Sequence, residues 1–150
     1  MRPQNRMTLR FMAAGSLGLG GLILMGMGAY FVFLRPPLLP EDARYIGLSL
    51  AQLRSTLPGI LPWLARVFDV LGGYMFATGL LTLYIAATSF RTGERLTATV
   101  VAFAGLASIG WMAVTNFLID SDYKWLLLAF NLPWLAALLS FHVSRDKPFP

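Results

Sequence analysis

The side chains able to do chemistry are few, and they gather toward one end of the apolar runs in this 150-residue chain: Arg66, Asp69, Asn116, Asp120, Lys124 and Asn131. Ionisable groups at membrane depth are costly and mark ion or substrate sites by default. Asp69 stands four residues after Ala65, three before Gly72 and ten before Gly79. Those spacings fall on one side of a helix, so the carboxylate is expected to point into a helix–helix seam. Arg66, three residues earlier, is within reach to pair with it. Asn116 and Asp120 close one apolar run, and Lys124 and Asn131 open the next. All six therefore enter from the same side and are expected in one polar layer. That layer admits two readings: a pocket for a small molecule or ion opening outward, or a structural network of interfacial charges that pair and snorkel. Pro133, just beyond Asn131, is expected to kink its helix and free the Ala129 carbonyl.

Other chemistries are excluded by composition. The chain has no cysteine, which removes disulfides, CxxC redox pairs and thiolate metal sites. Its one histidine, His142, makes a histidine-based metal centre improbable. No metalloprotease, nucleophile-elbow, P-loop or dinucleotide pattern occurs. Gly18-Leu19-Gly20-Gly21 resembles a phosphate loop but lies in the middle of an apolar run with no strand before it. No enzyme activity, metal or cofactor is expected.

The elements that must position these residues follow from hydropathy. The chain is 57% hydrophobic and 13% charged, with mean hydropathy +0.64, where a soluble domain is about 45–50% apolar and about 25% charged. Four runs lack Asp, Glu, Lys and Arg: Met12–Leu34, Val70–Phe90, Leu96–Ile119 and Trp125–Val143. A bilayer core of about 30 Å needs about 20 helical residues, and lipid leaves backbone groups no partner outside a helix or closed barrel. Barrel strands would alternate apolar and polar residues, and these runs do not. The expected fold is all-α: one integral membrane four-helix bundle over residues 1–150, with spans near 12–34, 66–90, 96–119 and 125–143. The first run is too long for a signal-peptide core of about 7–15 residues and is expected to stay as an anchor helix.

Flanking charge sets orientation. Arg2, Arg6, Arg10, Arg91, Arg95, Arg145 and Lys147, with Glu94 and Asp146, carry the whole net charge of +5 on one side. Arg35, Arg44, Arg54, Arg66 and Lys124 balance Glu41, Asp42, Asp69, Asp120 and Asp122 on the other. The basic side, with both termini, is expected in the cytoplasm, which places the protein in the cell inner membrane. The basic excess flanks spans and points to no nucleic acid.

The connection after Arg35 is long. Pro40-Glu41-Asp42 reads as a helix start with acids at its positive end, and Ser49-Leu50-Ala51-Gln52 as a capping box. Short interfacial helices are expected there, as a lid or a packing cap. Pro62 suits the first turn of the second span. Ala14, Gly18, Gly21 and Gly28 form a small-residue stripe on the first helix, and Gly72 and Gly79 another on the second. They serve bundle packing or, through the glycine-rich first helix, a homo-oligomer or another membrane subunit.

In length, four-span plan and a second span beginning Ala65-Arg66-Val67-Phe68-Asp69-Val70-Leu71-Gly72-Gly73, the chain resembles small bacterial four-helix membrane proteins of the DoxX-like kind. The resemblance implies a neighbourhood of membrane oxidoreductases and quinones, though no residue here anchors a quinone. Three functions are expected to compete: a non-catalytic accessory or scaffold subunit in the bilayer, a carrier or binder of a small apolar molecule or ion around Asp69, and a quinone-linked oxidoreductase subunit.

Overall fold

A charge-free run in hydrocarbon must satisfy its own backbone, and the described residues do so with helices. The computed structural model describes residues 3–144; Arg2, Arg145, Asp146 and Lys147 of the basic flank lie outside them. In chain order the elements are α1 Pro3–Phe33, α2 Pro40–Ile46, α3 Leu50–Thr56, α4 Ile60–Ala87, α5 Ser89–Thr92, α6 Arg95–Gly105, a π-helical segment Leu106–Gly110, α7 Trp111–Leu118, α8 Lys124–Ala129 and α9 Leu132–Val143. They make four stretches of spanning length, Arg6–Phe33, Ile60–Thr92, Arg95–Leu118 and Lys124–Val143. The chain is an all-α membrane protein with four spans, each close to its expected run. The second starts at Ile60, ahead of the span bound near residue 66 and with Pro62 in its first turn, as that proline suggests. There the missing proline N–H is one that a helix start leaves unbonded anyway.

The closest packing joins α1 to α4, antiparallel, through glycine. A Cβ on Gly28 would lie 2.5 Å from the Phe76 amide nitrogen and 2.6 Å from the Gly72 carbonyl oxygen. A Cβ on Gly79 would lie 2.6 Å from the Gly21 carbonyl oxygen. One heptad further along, Ala14 and Ala86 are both buried. The pairs Ala14–Ala86, Gly21–Gly79 and Gly28–Gly72 thus climb one helix by sevens as they descend the other. A seven-residue repeat is the period that keeps one helix face turned to its neighbour. Small residues at those positions let the backbones themselves touch. Gly18, expected in this stripe, stands at its flank, where an added Cβ would make an ordinary 3.7 Å contact with Leu83.

The other side of α1 packs on α9, and the wedge there is Trp134. Its indole lies between Gly20 of α1 and Gly105 of α6, where a Cβ would come to 3.1 Å and 2.2 Å from the ring respectively. The indole N–H donates to the Val101 carbonyl of α6 at 2.8 Å. Around it Leu17, Leu24, Ile109, Ala137 and Phe141 complete one buried cluster. Phe90 and Phe141 close its basic end with ring centroids 4.8 Å apart. The helices therefore pack in the order α4, α1, α9, third span, with α1 central. Short turns favour adjacency of the second span with the third. Close approach of their backbones is instead limited to the α5–α6 turn, because glycine draws α4 onto α1 while Trp134 binds the third span to α9.

Two glycines of α1 calibrate the seam. Gly26 has open space where a Cβ would go, so Gly26→Ala is expected to leave stability unchanged or raise it by up to about 1 kcal/mol. Gly28→Ala is expected to cost about 1–3 kcal/mol or more, because the new methyl meets backbone that cannot swing aside. Thermal unfolding of both variants in the same detergent checks the contrast.

Candidate functional site

No hydrogen bond or ion pair among the described residues joins the six polar residues read from the sequence into one network. Arg66 Nη1 donates to Asp69 Oδ2 at 2.8 Å, as its spacing predicts, but the pair sits at the edge of α4. The Arg66 side chain is 84% exposed and that of Asp69 is 36% exposed. Asp69 does not enter the α1–α4 seam; at that level Phe68 faces α1, its ring 5.9 Å from that of Phe31. At the end of α1 the Arg35 guanidinium stacks 3.6 Å from the Phe68 ring centroid. Asn116 Nδ2 donates back to the Met112 carbonyl at 2.9 Å. Lys124, the first residue of α8, pairs with Asp120 in the turn before it. Asn131 alone reaches another span, donating to Leu127 at 3.0 Å and to Ile109 of the π-helical segment at 3.5 Å.

Asn131 also marks the break in the fourth span. The helix is interrupted at Phe130–Asn131, both still right-handed, and resumes with Pro133 in its first turn. Pro133 can give no N–H to Ala129, so the ladder lapses there. Opposite lies the π-helical segment, where the Trp111 N–H bonds five residues back to Leu106. Between the two irregularities runs a shallow groove of about 390 Å³, lined by Gly110, Ala113, Phe117, Leu128, Asn131 and Leu135. It opens sideways between the third and fourth spans, and Asn131 is its one polar side chain.

The long connection is pinned to the Asp120–Lys124 turn. At its start Asp42 accepts the Leu39 N–H at 2.8 Å and the Arg35 guanidinium at 3.1 Å. Glu41, only 2% exposed, accepts the Ser121 hydroxyl at 3.2 Å. Arg44 pairs with Asp122 at 2.7 Å. The α3 capping box forms as its sequence predicts, with Gln52 N–H on Ser49 Oγ at 3.2 Å and Ser49 N–H on Gln52 Oε1 at 2.8 Å. This is the geometry of a packing cap.

The turn that receives the cap ends the third span with Asp120 in the left-handed region, φ 50°. The Ser121 N–H reaches back to Asn116 at 2.9 Å and the Asp120 N–H to Phe117 at 3.2 Å, the two bonds of a Schellman stop. Asp is among the few residues that tolerate this conformation. The hydrogen bond from Lys124, and then its charge, hold the Asp120 carboxyl below the usual carboxylate range. Hydrogen bonding to Asp122, with the nearby carboxylates adding to it, raises the Arg44 guanidinium above its ordinary value.

Sequence reasoning missed Arg35, Glu41, Ser121 and Trp134. Arg35 had a local signal, since Phe31 one turn earlier offers its ring, with the guanidinium 5.2 Å from the centroid. The others depend on contacts between distant segments. Among the described residues no group of three or more His, Cys, Asp or Glu comes together. In comparisons with known proteins, no protein family, curated protein or solved structure matches the chain.

The ion pair at the turn gives a pH signature. A carboxyl held low in the folded state stabilises at neutral pH, and that contribution disappears as pH falls through the carboxylate range, near or below about 4. Asp120→Asn keeps a residue that accepts left-handed backbone but removes the charge. The thermal midpoint of the variant is expected below that of the parent at pH 7, the gap closing as the pH is lowered toward 3.

Proposed function

We propose that the protein is a small, non-catalytic multi-pass protein of the bacterial inner membrane, with cytoplasmic termini, that acts as an accessory or scaffold subunit by docking a transmembrane helix of another subunit onto α4. The face of α4 turned away from its glycine seam carries this reading. Val67, Val70, Tyr74, Ala77, Leu81 and Tyr84 recur there at alternating spacings of three and four and are all exposed. Tyr74 is 71% and Tyr84 67% exposed, within a span of the membrane. Leu71, Phe76 and Leu80 widen the same exposed face, and a helix laid along it would meet the stripe at the three–four spacing of a helix pair. A neighbouring helix presenting carbonyl or hydroxyl oxygens would also satisfy the two phenol hydroxyls, which alkyl chains leave without partners. The charges at the long-loop end support the same reading, because Arg35, Arg44, Arg66 and Lys124 are each matched to an acid within the chain.

The groove beside Asn131 favours a second reading, a binder of a small apolar molecule. Its lining comes from Gly110, α7 and the fourth span around its break, and does not include Asp69.

The two faces of the bundle provide the test. A photo-crosslinking residue replacing Tyr74 or Leu81 in cells is expected to give one discrete protein adduct by mass spectrometry. The same residue replacing Leu19, exposed on α1, is expected to give only lipid adducts. Lipid adducts alone at all three positions would remove the scaffold reading, and an adduct of twice the chain mass would make the occupant a second copy.

A further inference from the structure

At the basic end of the bundle two arginines from different elements are held by contacts with neighbouring residues. We infer that Arg10 of α1 and Arg91 of α5 form a binding site for the phosphate of an anionic phospholipid. The two cations come from different elements and are brought together by α1 running antiparallel to α4. Arg91 lies over the ring of Phe11, its Cζ 4.7 Å from the centroid. Arg10, next to Phe11 in sequence, reaches the turn after Arg91. Its guanidinium lies 3.0 Å from where a Cβ on Gly93 would stand. Gly93 is left-handed, φ 84°, so the turn is both open to Arg10 and shaped by the absence of a side chain. Each guanidinium is thereby positioned before any ligand arrives, and a planar fork is well suited to two phosphate oxygens.

Charge balance calls for an anion at this place. Among the described residues Arg10, Arg91 and Arg95 stand at this end with a single acid, Glu94, whose Oε2 accepts the Thr97 hydroxyl at 3.0 Å. The surface next to the cations selects a lipid over a free anion. Met7, Phe11, Met12 and Leu96 are 63%, 53%, 58% and 74% exposed, an apolar apron where acyl chains would descend from a headgroup. Basic clusters between spans on the cytoplasmic side are suited to such headgroups. The inference rests on the membrane assignment and not on the scaffold reading, since neither arginine lies on the uncovered face of α4.

Binding of phosphatidylglycerol and of phosphatidylcholine to the detergent-solubilised full chain, counted by native mass spectrometry, tests it. Phosphatidylglycerol is expected to bind the parent more tightly than phosphatidylcholine. Arg10→Gln with Arg91→Gln is expected to weaken it about tenfold, while Arg54→Gln, at the opposite end, leaves it unchanged. Arg91→Lys, which keeps the charge and loses the fork, is expected to fall between and serves if the double variant does not fold. Equal binding of the two lipids, or parental affinity in the double variant, would overturn the site. Displacement of phosphatidylglycerol by an equal concentration of inorganic phosphate would assign the arginines to a free anion and overturn the lipid.

Discussion

Contact between the backbones of α1 and α4 is the constraint from which the remaining geometry follows. With lipid on the outside, two helices gain little from hiding apolar side chains from each other. They gain from dispersion and from Cα–H···O contacts when nothing stands between them. Gly21 against Gly79 and Gly28 against Gly72 reach that limit. The approach fixes the register of the two longest helices, and the register brings Arg35 over Phe68 at one end and Arg91 over Phe11 at the other. The stacked cations at both ends are therefore consequences of the seam between them.

Fixing α1 against α4 leaves α1 one further side on which to build a core, and α9 takes it. Here the packing logic changes from smallest to largest: Gly20 and Gly105 are vacant so that one indole can occupy the space of both. The indole also finds a backbone carbonyl for its N–H, as a buried tryptophan requires. The third span is thus held by a wedge and by hydrogen bonds from Trp134 and Asn131 rather than by a long seam. The long connection docks on the turn that ends the third span, where Glu41 and Ser121 are both buried. Each polar group in these contacts is matched, and no described buried side-chain nitrogen or oxygen lacks a partner.

What could be read beforehand was local or periodic. The four spans, the α3 capping box and the Arg66–Asp69 pair depend on residues within a few positions of each other. The glycine and alanine stripes follow from a repeat of seven. The polar layer was not legible because co-location at one end of a bundle says nothing about azimuth. Asn116 and Asn131 found carbonyls four residues back in their own helices, and Asp69 stayed beside Arg66. The partners of Trp134 and Glu41 lie 33 and 80 residues away, and no spacing rule connects such positions. The π-helical segment likewise leaves no pattern in Leu106–Gly110.

That segment has a consequence for the azimuth of everything after it. A five-residue closure holds one residue more than an α-turn, and each residue of an α-helix turns the chain by about 100°. Leu106–Gly110 therefore acts as a phase shifter set into the middle of a rod. Upstream, Val101 and Gly105 point at Trp134; downstream, the rotation carries Ala113 to the groove and delivers Ser121 and Asp122 to the docked loop. Insertion or loss of a single residue there would leave the helix intact in length and hydropathy yet turn its far half to a different compass point.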